Sequence, residues 1–111
     1  MRQSIVYFAR QYTVTHFFGF KIGESGRGLR RQKDSNFPEN FYIDSFFETP
    51  IDSKSCRLFI ESWLRVYIEK HYNCTLVKKD TFEGRNYKEV LRLYHDFPRI
   101  YEKAVEAYNK I

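Results

Sequence analysis

Residues 21–31 have the sequence Lys-Ile-Gly-Glu-Ser-Gly-Arg-Gly-Leu-Arg-Arg, in which a strand-like segment leads into a glycine-rich turn and then an arginine cluster. Glycine allows the backbone to approach a ligand closely and to adopt turn conformations that other residues resist. Backbone N–H groups beside guanidinium groups suit a phosphate. The segment therefore predicts a nucleic-acid-binding surface, to which we assign Gly23, Arg27, Arg30 and the nearby Lys33.

The basic charge of the chain is concentrated around this segment. Residues 1–33 contain seven basic residues and one acid, Glu24, whereas residues 34–111 contain 12 basic residues and 13 acids. The net charge of +5 at pH 7 therefore originates in the first third of the chain. Such asymmetry indicates an anionic partner for one face of the protein. A solvated basic surface without a partner is the alternative that net charge alone leaves open.

Length and composition indicate one folded domain, residues 1–111. Aromatic residues make up 19% of the chain, which is typical of a packed protein rather than a disordered one. No apolar run reaches the roughly 18 residues of a membrane span, and the N-terminus lacks the features of a signal peptide. Cys56 and Cys74 lack the spacing of a zinc site. We therefore expect a protein of the reducing cytoplasm, without a membrane partner.

Periodicity predicts an α+β fold, in which a small, three-stranded, mainly antiparallel sheet is flanked by helices. Strands are predicted at 3–10, 15–23 and 41–48, the first two forming a hairpin. A short helix is predicted at 28–34, because the glycines before it delay helix formation. Residues 74–82 could hold one more short strand, which Gly84 would end.

A long amphipathic helix at 53–72 is the strongest helical pattern in the chain. Ser53 suits its N-cap and Asn73 its C-cap. Two further helices are predicted at 86–96 and 98–110, separated near Pro98 because proline restricts the residue before it. The apolar stripe of the long helix has three- and four-residue spacing and consists of Cys56, Phe59, Ile60, Trp63, Leu64, Tyr67 and Ile68.

In order and spacing, these elements resemble the GIY-YIG nucleases. Val6-Tyr7 is similar to the first half of the family's motif, with Ile5 in the place of its glycine. Lys21-Ile22-Gly23 is similar to the second half, with lysine in the place of its tyrosine, and this form looks like a phage-type branch of the superfamily. Glu61, within Phe59-Ile60-Glu61-Ser62-Trp63-Leu64, matches the glutamate on the family's central helix.

Further matches extend the resemblance over residues 3–83, with the helices predicted within 86–110 beyond this core. Arg31 lies eight residues after Gly23, where family members carry an arginine, and Arg30 is the competing match. Asp80-Thr81-Phe82 looks like the short terminal strand of the phage-type branch. The family's late asparagine has no clear counterpart, and Asn73 is a weak candidate for it.

The resemblance implies a divalent-metal-dependent endonuclease that hydrolyses DNA phosphodiester bonds. Tyr7 would be the general base, with Lys21 lowering its pKa from the ordinary value of about 10. Arg31 would bind the scissile phosphate and stabilise its charge in the transition state. Glu61 would hold Mg²⁺ or Mn²⁺, hard cations that take carboxylate oxygens and keep several waters. One such site cuts one strand, so a double-strand break would need either a homodimer or two separate binding and cleavage events by a monomer.

Each catalytic candidate also has a simpler interpretation. Glu61 could form an i,i+4 surface ion pair with Arg57 or Arg65. Tyr7 could be a half-buried strand aromatic, and Lys21 could be a solvent-facing strand residue. Period-2 alternation nevertheless places Tyr7 and Lys21 on the same side of paired strands. Arg31 could be one more cation of the basic patch, with Arg27 or Arg30 sharing its task.

Two rival functions remain open from the sequence. A binding module would keep the fold and the basic patch without hydrolysis. An interaction protein without a nucleic-acid role would leave the charge asymmetry unexplained. The sequence gives neither the target nor the choice between DNA and RNA. His16 lies near the predicted site in sequence and is a minor candidate for proton transfer.

Overall fold

Within the described part of the chain, five strands form one sheet, and two long helices pack beside it. The computed structural model describes residues 3–11, 19–37, 41–78, 81–84 and 87–111. The sheet has the order β3-β1-β2-β5-β4, and each adjacent pair is antiparallel. In chain order the elements are β1 (Ile5–Gln11), β2 (Gly19–Ser25), a 3-10 helix (Gly28–Lys33), β3 (Phe41–Glu48), α1 (Lys54–His71), β4 (Cys74–Lys78), β5 (Thr81–Gly84) and α2 (Tyr87–Asn109).

The predicted α+β class is confirmed, and the predicted three-stranded antiparallel unit is present as β3-β1-β2. Two more strands extend it to five. The single strand predicted within 74–82 is instead a hairpin of β4 and β5, in which β5 pairs with Gly19–Lys21 of β2. The edge of β2 supplies backbone partners that a local pattern cannot reveal, because strand pairing joins residues about 60 positions apart.

Helix α1 follows its prediction closely. The Ser53 side chain accepts a hydrogen bond from the Cys56 N–H at 3.1 Å, which fixes the N-terminus. At the other end the prediction of Asn73 as the C-cap is wrong, because the cap is Tyr72, whose N–H donates to the Ile68 carbonyl. Tyr72 leaves the helix in an extended conformation and donates its hydroxyl to Asp96 on α2 at 2.6 Å. The C-terminal end of α1 is thus linked to α2 by a tertiary hydrogen bond.

Helix α2 is one continuous helix, so the prediction of separate helices at 86–96 and 98–110 is wrong. Pro98 lies inside it, although proline removes one backbone hydrogen bond and costs about 3 kcal/mol in a helix interior. The apolar face continues across the proline and offsets this cost. Phe97 is fully buried against Phe8 and Phe47. The buried face of α2 comprises Val90, Leu93, Phe97, Ile100, Tyr101 and Ala104.

The core has two parts, one on each face of the sheet. On the first face, Val6, Phe8, Phe20 and Ile22 pack with the buried residues of α1 and α2. On the second face, a smaller cluster contains Ile5, Tyr7, Ala9 and Phe37. Strand β1 is therefore buried on both faces, which explains its nearly continuous apolar sequence. Alternate β1 side chains face the helices or the segment after the 3-10 helix.

In the part of the chain that the structure describes, neither long helix combines the length and the hydropathy of a membrane span.

Candidate active site

The four side chains predicted to be catalytic line one pocket. Its volume is about 280 Å³. They come from β1, β2, the 3-10 helix and α1, elements that are far apart in sequence. The pocket also contains residues that were not predicted to be catalytic. Among the residues that the structure describes, the lining consists of Tyr7, Lys21, Gly23, Glu24, Arg31, Leu58, Glu61 and Arg65.

The register between β1 and β2 brings the first two residues together. Tyr7 is the cross-strand partner of Gly23, and Lys21 is the partner of Ala9. Because antiparallel partners point to the same face and residues two apart share a face, Tyr7 and Lys21 lie on one side of the sheet. The space above Gly23 is filled by the Tyr7 ring. Gly23 therefore has a packing role within the pocket.

Burial distinguishes these residues from ordinary strand positions. Tyr7 is 1% exposed and Lys21 is 6% exposed. The lysine is thus not the solvent-facing residue that the simpler interpretation required. A buried ammonium group needs compensation. Two carboxylates, Glu24 and Glu61, line the same pocket.

Glu61 is both a pocket residue and one member of an ion pair. It is 9% exposed, and its Oε1 lies 3.4 Å from Arg65 Nη2. Of the two partners considered in the sequence, Arg65 is the observed one. The Arg57 guanidinium instead bonds Glu24, with Nε 2.7 Å from Oε2. The ion pair and the pocket location therefore coexist, since an i,i+4 contact along α1 leaves Glu61 at the pocket wall.

Arg57 connects α1 to the glycine-rich turn, a role that the sequence analysis missed. Besides Glu24, its guanidinium donates to Ser4 Oγ at 3.0 Å and to Asp52 at 3.2 Å. A Cβ added to Gly26 would lie 3.0 Å from Arg57 Nη2, so the turn packs directly on this side chain. The sequence did contain a signal for the contact between Arg57 and Glu24, because Glu24 is the only acid among residues 1–33.

The turn itself has a defined conformation. Gly28 has a φ of +61°, in the left-handed region that favours glycine, and its N–H donates to the Gln3 carbonyl at 2.7 Å. The Ser25 hydroxyl accepts from the Arg27 N–H at 2.9 Å and donates to the Gly28 carbonyl at 3.1 Å. These bonds fix the start of the 3-10 helix that carries the arginines.

Arg31, rather than Arg30, reaches the pocket. Its Nη1 donates to Asn36 Oδ1 at 3.0 Å and lies 3.5 Å from Asp34. The guanidinium carbon lies 5.1 Å from the centre of the Phe37 ring, within the range of a cation–π contact. Arg30 is exposed and is not part of the pocket lining. The structure thus separates two adjacent arginines that the spacing from Gly23 left in competition.

The other predicted nucleic-acid-binding residues lie outside the pocket. Arg27, Arg30 and Lys33 are exposed along the turn and the 3-10 helix. Arg27 forms an ion pair with Asp34. These three exposed cations, Arg27, Arg30 and Lys33, recur at every third position of this segment and are called the basic ridge.

The remaining sequence candidates are Asn73, His16 and Asp80. Asn73 is not part of the lining, and its backbone N–H donates to Glu89 at 3.3 Å. His16 and Asp80 lie outside the described residues. Three lining residues were missed as pocket residues, namely Glu24, Leu58 and Arg65. The spacing of Leu58 and Arg65 on either side of Glu61, three and four residues away, was the available signal.

The donor set suits a hard divalent cation. Glu61 offers carboxylate oxygens beside the Tyr7 phenol, and these are the oxygen ligands that Mg²⁺ and Mn²⁺ prefer. Within the described residues, no cluster of three or more histidine, cysteine or acidic side chains has metal-binding geometry. A cation at this site would therefore be held by Glu61, with waters and a substrate phosphate completing its shell, as is common for Mg²⁺.

A second, larger groove of about 400 Å³ lies along another face of α1. It is lined mainly by aromatic and aliphatic side chains, with Trp63 stacked on Tyr67 at a centroid distance of 5.1 Å. None of the predicted catalytic residues lines it. The smaller pocket is the better candidate for chemistry, because it combines a phenol, carboxylates and cations.

Comparison of the chain with protein-family models, with curated proteins and with solved structures gave no match. The functional assignment therefore rests on the chemistry and geometry of the pocket and on the sequence resemblance.

Proposed function

We propose that this protein is a divalent-metal-dependent endonuclease of the GIY-YIG type that hydrolyses DNA phosphodiester bonds. One observation carries the proposal. Tyr7, Lys21, Arg31 and Glu61, chosen by motif spacing alone, lie on four separate elements and meet in one pocket of about 280 Å³. Residues chosen at random from such distant positions would not be expected to converge.

In this proposal Tyr7 accepts the proton of the attacking water. Its ring is buried against the sheet, which fixes the direction of the hydroxyl. Lys21 lines the same pocket, and its positive charge would stabilise the phenolate form that accepts the proton. The pair thus adapts an ordinarily weak base to work near neutral pH.

Arg31 binds the scissile phosphate and stabilises the charge that develops on it. Asn36 and Phe37 hold the guanidinium at the pocket, so little reorganisation is needed when the phosphate arrives. Glu61, which lines the same pocket, would hold the cation. When bound, Mg²⁺ or Mn²⁺ would supply Lewis-acid stabilisation of the phosphoryl oxygens and of the leaving oxygen.

The basic ridge positions the DNA by its phosphates. Its three cations are exposed and lie on a turn whose conformation is fixed by Ser25 and Gly28. Phosphate contacts orient a duplex and carry no sequence information, which supports a nuclease of low intrinsic sequence specificity. One pocket cuts one strand, so a homodimer is proposed for double-strand cleavage. The free thiols of Cys56 and Cys74 fit a reducing cytoplasmic location.

The test compares wild type with Glu61→Gln on supercoiled plasmid in the presence of Mg²⁺ or Mn²⁺, with EDTA as a blank. Wild type is expected to nick the plasmid. Glu61→Gln is expected to bind DNA at least as well and to fail to cut it, because only the negative charge is lost. Glu69→Gln is the matched control, since Glu69 is an exposed residue of the same helix and is not a pocket residue.

Normal cleavage by Glu61→Gln would reject the metal-ligand role. Wild-type protein that binds duplex, single-stranded and branched DNA but cuts none of them with either metal would support the rival, a non-catalytic binding module. The Glu61–Arg65 ion pair is the observation that favours this rival, because it occupies a carboxylate oxygen that a cation would use.

A further inference from the structure

Arg65 is a pocket residue to which neither the motif nor the proposed function gives a role. Its guanidinium lines the same pocket as Arg31, and it is held from α1, one turn after Glu61. The side chain is only 22% exposed, so the charge is kept at the pocket wall rather than extended into solvent. The pocket therefore contains two guanidinium groups and the Lys21 ammonium.

The charge balance of the pocket favours an anion. Three cationic residues, Lys21, Arg31 and Arg65, line it together with two acids, Glu24 and Glu61. Glu24 is already compensated from behind by Arg57 at 2.7 Å. The excess of positive charge at the pocket is thus larger than the charges of the lining residues alone indicate. In a nuclease, the anion that such a pocket would bind is a phosphodiester.

The contact of Arg65 with Glu61 is one that a ligand can displace. Its 3.4 Å separation is longer than the 2.7–2.9 Å typical of strong charge-assisted hydrogen bonds. The second contact of the same Nη2, with Ser62 Oγ, is also 3.4 Å. A phosphate offers paired oxygens that match the planar guanidinium better than this geometry does.

We propose that Arg65 is a second phosphate-binding residue, whose guanidinium leaves Glu61 for the bound phosphate, so that DNA and the divalent cation assist each other's binding. In the free protein Arg65 and the cation compete for the Glu61 carboxylate. Bound phosphate removes the competitor and supplies further oxygen ligands. By linkage, the factor by which DNA tightens cation binding equals the factor by which the cation tightens DNA binding. This inference rests on the proposed function.

The test is a Mn²⁺ titration followed by electron paramagnetic resonance of the free ion. Wild type and Arg65→Gln are titrated alone and with a short DNA duplex, and the titration of duplex alone is subtracted. For wild type, DNA is expected to tighten Mn²⁺ binding about tenfold, within the usual range of coupling between sites. Arg65→Gln is expected to bind Mn²⁺ about tenfold more tightly without DNA and to gain less from DNA than wild type does, because only the ligation by phosphate oxygens remains.

Two control variants isolate the role of the guanidinium. Arg99→Gln removes the same charge from an exposed i,i+3 ion pair on α2 and is expected to behave as wild type. Arg65→Lys keeps the charge but lacks the planar fork, so it should still compete with Mn²⁺ while binding duplex in EDTA more weakly than wild type. Circular dichroism of each variant verifies the fold.

The outcomes separate this inference from the proposed function. Equal Mn²⁺ affinities for wild type and Arg65→Gln, with and without DNA, would overturn the role of Arg65, even if Glu61→Gln abolishes Mn²⁺ binding and the nuclease stands. Coupled binding of Mn²⁺ and DNA by a wild-type protein that cuts no DNA would support Arg65 and contradict the nuclease alone.

Discussion

The Tyr7 ring lies across the α-carbon of Gly23, its cross-strand partner in the β1–β2 pair. A Cβ built on Gly23 would overlap the ring carbon that bears the hydroxyl and would lie 2.7 Å from Cε1. The glycine of the Lys21-Ile22-Gly23 motif is therefore required by packing against the phenol. Its φ is not in the left-handed region, so space rather than backbone conformation makes glycine necessary.

Gly23→Ala is expected to displace the Tyr7 ring and to lower the free energy of unfolding by about 1–3 kcal/mol, the usual cost of overpacking. Cleavage should fall with it, because the hydroxyl moves. Urea unfolding and plasmid nicking measure the two effects. Gly26→Ala is the comparison variant, since its Cβ would meet Arg57 Nη2 at 3.0 Å, a milder contact than the overlap of a Gly23 Cβ with the Tyr7 side chain. Equal stability of Gly23→Ala and wild type would contradict the packing role.

Tyr7→Phe is expected to abolish cleavage while leaving the fold intact, because only the hydroxyl is removed. Lys21→Met should shift the pH–rate profile to higher pH, since the cation that favours the phenolate is lost. Single-turnover cleavage across a pH series measures both, with far-ultraviolet circular dichroism as the check on folding. Activity retained by Tyr7→Phe would assign proton abstraction to a group other than this tyrosine.

Arg31→Ala and Arg30→Ala form a matched pair of adjacent substitutions. Arg31→Ala should reduce turnover by about 100- to 1,000-fold, because it removes charge stabilisation in the transition state. Arg30→Ala should weaken binding to all DNA sequences alike and reduce the salt dependence of binding by about one phosphate contact. Binding isotherms at several salt concentrations and single-turnover rates separate the effects. A similar rate loss in both variants would make Arg31 a generic phosphate contact.

The junction between α1 and α2 predicts a pH dependence of stability. Arg92 donates to Glu89 at 3.1 Å, and this bond, with a smaller contribution from the Asn73 N–H, lowers the pKa of the Glu89 carboxyl. A carboxyl whose pKa is lower in the folded state stabilises the fold above its unfolded pKa, about 4.3 for glutamate. This contribution is lost as the pH falls through the folded pKa.

Glu89→Gln should therefore lower the melting temperature at pH 7 and flatten its decline below pH 4.5, relative to wild type. Melting temperatures measured between pH 7 and pH 3 give the comparison. The acid also lies in the first turn of α2, where a negative charge interacts favourably with the helix dipole. Parallel melting curves for the two proteins would show that the junction contributes nothing to the acid sensitivity.

Several local features could be predicted because the interactions that fix them lie close together in the chain. Ser53 caps α1 through a residue three positions away. The alternation in β2 places Lys21 and Gly23 on one face whatever the strand pairs with. The three- and four-residue spacing in α1 defines its buried side, and Cys56, Ile60, Leu64 and Ile68 are buried as that spacing predicts.

Other features depended on partners that are distant in sequence. Pro98 does carry the usual cost of a proline inside a helix. The burial of Phe97 against Phe8 and Phe47 outweighs that cost, so α2 continues through the proline. The C-cap of α1 is Tyr72 rather than the predicted Asn73, and the Tyr72 hydroxyl donates to Asp96 on α2. The β4–β5 hairpin needed the edge of β2.

The candidate site shows the same division. The sequence by itself determined which residue types were available and where they stood along the chain: Tyr7, Lys21, Arg31 and Glu61. Only the tertiary structure decided that Lys21 is buried, that Arg31 rather than Arg30 enters the pocket, and that Glu61 meets Arg65 there. Spacing fixes the side of an element on which a residue lies, whereas packing between elements sets burial and electrostatic partners.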